Sequence, residues 1–103
     1  MNLSIVNLYL KNFKWQKKRR KLNKDFERKI YSSKKNVELV LAKIYDIDDE
    51  DIQKEYMSAF NEVVYLYDEL KEDYDRQGFT DNSEELLTNY KNAFNLFESE
   101  FEI

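Results

Sequence analysis

The chain has 103 residues and a formal charge of −4, with no Cys, no His, no Pro and a single Gly. Lacking Cys and His, it has no disulfide, no thiol or imidazole catalysis and no metal site built on those ligands. With so few residues that end helices or turn strand hairpins, the expected fold class is all-α: an antiparallel bundle of three or four helices built around a long helical hairpin, in a single helical domain over 1–103.

The net charge conceals two opposed halves. Residues 1–45 carry 13 Lys/Arg against three acids, and residues 46–103 carry four against 18. Such segregation points to nucleic acid, a membrane or a charged protein partner. Two helices attracting each other inside one fold would show it equally.

Taken in chain order, residues 1–13 place Leu3, Val6, Leu10 and Phe13 at helical spacing and read as a short helix, or else as a separate arm. The run LSIVNLYL is too short to span a bilayer. Its charges follow the apolar stretch, where a secretory signal has them in front. The expected location is cytoplasmic.

Leu22, Phe26, Ile30, Val37, Leu41 and Ile44 then share a face, with Ser33 between Ile30 and Val37. This predicts one helix over about 16–46, or two pieces if Ser32–Ser33 break it. On the opposite side Lys14, Lys17, Lys21, Lys24 and Arg28 form a basic stripe, the candidate basic interaction face. Nucleic acid is an alternative partner through residues 14–28. Against it stand 18 carboxylates, which repel a polyanion within about 8–10 Å. A membrane surface is disfavoured, because the apolar N-terminus is equally a packing helix.

The run DIDDEDIQKEYM at 46–57 has calcium-loop spacing at its start, but Asp51 stands where Gly is needed and Met57 where a bidentate Glu belongs. It predicts a helix N-terminus instead. The helix over about 49–77 carries a seam of Ile52, Tyr56, Phe60, Val63, Tyr67, Leu70 and Tyr74, closed by a left-handed cap at Gly78 with Phe79 as its apolar partner. The last helix, about 83–100, starts at Asn82 or Ser83 with Glu85 completing a capping box from Asn82, and buries Leu87, Tyr90, Phe94, Phe97 and Phe101.

Asp51, Glu55, Glu62, Glu69 and Asp73 run along one flank of the second helix. With Tyr65, expected opposite the seam, they are the candidate acidic interaction face. No desolvated pocket is expected around the carboxylates, so neither enzyme activity nor a cofactor or metal is expected. The expected function is that of a small non-catalytic binding protein of the inhibitor, immunity or adaptor type, such as phage or mobile elements encode. It would engage a protein partner through charged surfaces, with a homodimer as a further possibility.

Overall fold

The structure, a computed structural model, describes the backbone of residues 3–103 and the side chains from Arg20 onward. It holds three helices, α1 (Leu3–Tyr45), α2 (Glu50–Gln77) and α3 (Ser83–Glu100), and no strand among the described residues. α1 is a single piece, so residues 3–13 form no element of their own and Ser32–Ser33 do not break the helix. The Ser33 hydroxyl donates to the Lys29 carbonyl one turn back at 2.8 Å, which satisfies it without leaving the helical path. At 1.5 Å per residue α1 is about 65 Å long and α2 about 42 Å. The long axis of the molecule, 76 Å, far exceeds α2.

Polar latches fix both ends of the α1–α2 contact. At one end Asp49 caps α2, its Oδ1 accepting from the Asp51 and Ile52 amides at 2.9 and 3.2 Å. Gln53 reaches back from α2, its amide donating to the Ile44 and Tyr45 carbonyls at 3.2 Å; these are among the orphan acceptors that every helix leaves at its C-terminus. At the other end Asn23 of α1 accepts from the Phe79 amide at 2.9 Å, and its carbonyl accepts from the Tyr74 hydroxyl at 3.1 Å. α2 therefore starts beside the end of α1 and finishes beside Asn23.

The core follows the apolar stripes. Phe26, Ile30, Val37, Val40 and Ile44 of α1 meet Phe60, Val63, Tyr67 and Leu70 of α2 and Leu87, Tyr90 and Phe97 of α3. Aromatic pairs tie α2 to α3: Tyr56 to Phe101 at 4.9 Å, Phe60 to Phe97 at 4.8 Å, Tyr67 to Tyr90 at 6.0 Å. These are tilted or edge-on arrangements, the ones the ring quadrupoles favour. Tyr90 also donates to the Ser33 carbonyl at 3.2 Å, a buried bond joining α3 to α1.

Four expectations need correction. Leu22 and Ile52, expected in the core, are 39% and 44% exposed. α2 has ended by the level of Asn23, leaving Leu22 uncovered, and α3 ends against Tyr56 through Phe101, one turn short of Ile52. Gly78 has φ 70° but ψ −159°, outside the left-handed helical region and in one open essentially to Gly alone. Its neighbour Phe79 packs on Phe26 of α1 at 5.2 Å. The capping box does not form, since the Asn82 side chain makes no cap bond; the Thr80 amide donates to Ser83 Oγ at 2.8 Å instead.

Gly78→Ala should destabilise the protein by about 1–3 kcal/mol through backbone strain alone. The added Cβ would meet Asn23 Oδ1 at 3.4 Å, an ordinary contact. Urea unfolding checks this; an unchanged midpoint would show that the turn is not held at that φ.

Burial pushes the Tyr90 phenol up from 10.0 to about 12, and burial raises Tyr67 and Tyr74 too. Each neutral phenol is favoured in the folded state. The stability this contributes is complete below the unfolded value of 10.0 and is lost as pH climbs from there towards about 12. Chemical denaturation across that range should show stability falling steeply, and Tyr90→Phe should flatten the fall.

Candidate functional site

α1 carries the basic face on the side that its core residues leave to solvent. Lys21, Lys24 and Arg28 are exposed there, as expected, and with Arg20 they surround a shallow surface hollow. Asp25 shares that hollow, so the face is not purely cationic. Lys14 and Lys17 lie outside the described side chains.

The acidic face is divided. Tyr65, 64% exposed as its position opposite the seam predicts, lines a groove between α2 and α3 together with Asp68, Glu69, Glu72, Asp73 and Glu85. Glu62 borders an adjoining groove floored by Ala59, Val63, Leu66 and Ala93. Asp51 and Glu55 are exposed but belong to neither groove. They sit near the start of α2, with Asp51 about 27 Å along the helix from Glu69. Asp73 is not a free surface charge. Its side chain is only 12% exposed, and its Oδ1 accepts from the Gln77 amide at 2.6 Å and faces Arg76 at 3.5 Å. Its Oδ2 is buried without a partner.

The α3 wall of these grooves, Glu85, Asn89 and Leu96, escaped the sequence reading. Glu85 was assigned to a cap, and Leu96 stands one residue from the core position Phe97. Leu96 is 58% exposed and adds apolar surface to the second groove, which Glu62, Asn92 and Glu100 also line. Its phase on α3, off the Leu87–Tyr90–Phe97 stripe, was the available signal.

No ion pair among the described residues joins one helix to another. Among the described residues the ion pairs are Lys34–Glu38, Lys71–Asp75 and Arg76–Asp73, each three or four residues apart on one helix. Lys35 likewise lies over Tyr31 of its own helix, 4.7 Å from the ring centroid. The hydrogen bond from Lys71 to Asp75 raises the lysine's pKa, favouring its charged form. Exposed pairs of this kind contribute about 0–1 kcal/mol.

Asp68, Glu69 and Glu72 are exposed. Among the described residues no group of three or more acidic side chains is placed to hold a metal ion, and no helix is long and apolar enough to cross a membrane. Comparison with known protein families, with curated proteins and with solved structures gave no match.

Because Lys21, Lys24 and Tyr65 take no part in any hydrogen bond or ion pair described above, Lys21→Gln, Lys24→Gln and Tyr65→Ala should each leave unfolding free energy within about 0.5 kcal/mol. A larger loss in thermal or urea unfolding would give these faces a structural role.

Proposed function

We propose that this is a small non-catalytic binding protein of the inhibitor, immunity or adaptor type, engaging a protein partner through its charged faces. The observation that carries the reading is that the basic and acidic sides are left without ion pairs between helices among the described residues. Charge spent on internal cohesion would bridge helices. Charge kept on separate faces remains available to steer and orient a partner.

The arrangement proposed to carry these faces is an antiparallel bundle around the α1–α2 hairpin, acting as a single domain in the cytoplasm. The Asn23–Phe79 and Gln53–Ile44 bonds at its two ends and the Tyr90–Ser33 bond to α3 support it.

A nucleic-acid-binding regulator is the second reading, favoured by the exposed Lys21, Lys24 and Arg28 around one hollow. The acidic grooves of α2 and α3 weigh against it. Fluorescence anisotropy with random duplex and single strands should show no binding tighter than micromolar even at about 50 mM salt, whereas a true phosphate contact surface would bind and lose affinity steeply by about 200 mM. For the protein reading, affinity capture should recover a partner with the native chain and lose it by about ten-fold or more with Glu62→Lys plus Glu69→Lys. Equal recovery would reject the acidic face as the contact.

A further inference from the structure

We propose that the open side between α1 and α3 is a docking groove for an amphipathic helix of a protein partner, apolar along one face and acidic in its C-terminal turn. This rests on the protein-binding reading above and adds a surface outside the acidic face, with the chemistry of what it takes.

The groove exists because α2 stands between the other two helices. Helices in contact have axes about 8–10 Å apart. α2 packs on both neighbours in this way, yet among the described residues no Cα of α1 comes within 8 Å of one in α3. The Tyr90 phenol spans that gap to reach the Ser33 carbonyl. Outside it lie two hollows of about 470 and 460 Å³, which share Asn36, Phe94 and Glu98 and so form one trough. From Arg28 to Lys43 along α1 the trough is about 22 Å long, enough for a helix of about 15 residues.

Its character changes along its length. One end is lined by Arg28 and Lys29 of α1 and Lys91 of α3, with Ser32, Asn36 and Asn95 as uncharged polar neighbours. All three cations are exposed, and none belongs to an ion pair among the described residues. No acid lines this part before Glu98, two turns of α3 beyond Lys91. The other end has Val40, Phe94, Phe97 and Phe101 as its floor, with Leu39 and Ile103, 56% and 41% exposed, beside them. The charges there, Lys43 against Glu98 and Glu102, nearly cancel.

Each part selects a feature of the occupant. The exposed Leu39 and Ile103 and the half-buried Phe94 and Phe101 are covered by apolar side chains at three- and four-residue spacing, as a helix in a groove supplies them. The unpaired cations select carboxylates at one end. Direction follows from the neighbours. In the arrangement proposed above, α1 and α3 both run from the cationic end to the apolar end. A helix of opposite sense between them completes an up-and-down set of four. Its C-terminus then lies over Arg28, Lys29 and Lys91, where the negative end of its dipole adds to its carboxylates. A nucleic acid would meet the cations but leave Leu39 and Ile103 uncovered and Glu98 and Glu102 opposed to it.

A synthetic helix of about 15 residues tests this, with Leu at three- and four-residue spacing, Glu in its last turn and Ala and Gln elsewhere. Titrated with the full chain by fluorescence anisotropy at about 50 mM salt, it should bind at tens of micromolar or tighter and weaken by about 500 mM. A twin peptide with Lys in place of Glu should bind about ten-fold or more weakly, and Lys29→Glu plus Lys91→Glu should reverse that preference. Leu39→Gln plus Ile103→Gln should weaken the acidic peptide about five-fold or more. All four positions are exposed, so the urea midpoint should stay unchanged. No binding of the acidic peptide, or binding that these variants leave alone, overturns the groove. A dimer in sedimentation velocity that Leu39→Gln plus Ile103→Gln dissolves gives the groove to a second copy and overturns it too. Glu62→Lys plus Glu69→Lys should leave peptide binding intact, so loss of a captured partner with that pair alone leaves the acidic-face contact standing while the peptides decide the groove.

Discussion

The phenol of Tyr90 is where the three helices depend on one another. Its ring packs against Tyr67 of α2 at 6.0 Å, its neighbour along α3 is Phe94, and its hydroxyl donates to the Ser33 carbonyl inside α1. A buried hydroxyl without a partner costs roughly 1–3 kcal/mol. The phenol is therefore accommodated only where a carbonyl is within reach and the residue on α1 is small enough to let the ring in. Ser33 meets both conditions, and its own hydroxyl is turned back on Lys29, leaving nothing polar unpaired. That arrangement settles how near α3 lies to α1 at this level, and the aromatic pairs on either side set its position against α2.

The charged surface is what remains once the stripes are buried. With 37% of its residues charged and its apolar side chains gathered at helical spacing, the chain places almost all of its described Lys and Glu on outer faces. The described ion pairs stay within single helices, so the opposed halves contribute little to holding the fold together. Two polar residues with less conspicuous roles, Asn23 and Gln53, close the ends of the α1–α2 contact instead. Charge that is not paired between helices acts through long-range fields, which bear on association more than on stability.

Much of this was legible from residue order. The helices at 50–77 and 83–100 lie where the stripes of Phe60, Val63, Tyr67 and Leu70 and of Leu87, Tyr90 and Phe97 place them, and Tyr65 is exposed because it stands opposite its seam. The failures came where a neighbour's length decided the outcome. Leu22 and Ile52 have the right phase for burial, but the helices that would cover them stop short. Asp73 has the phase of a surface acid, yet Gln77 and Arg76 on the next turn draw it in.

By itself the sequence determined the all-helical class, the bounds of α2 and α3, most of the core and the division of charge. All of these follow from local periodicity and from the near absence of Gly and Pro, which act within a few residues along the chain. Only the tertiary structure decided which helix ends lie level, that Asn23 rather than a local cap receives the Phe79 amide, and that α2 and α3 enclose a groove strongly acidic at one end and of mixed polarity at the other. Those features are set by residues more than 50 positions apart, such as Asn23 and Phe79, whose pairing depends on how far each helix runs before it turns. No periodicity within a single helix encodes that distance.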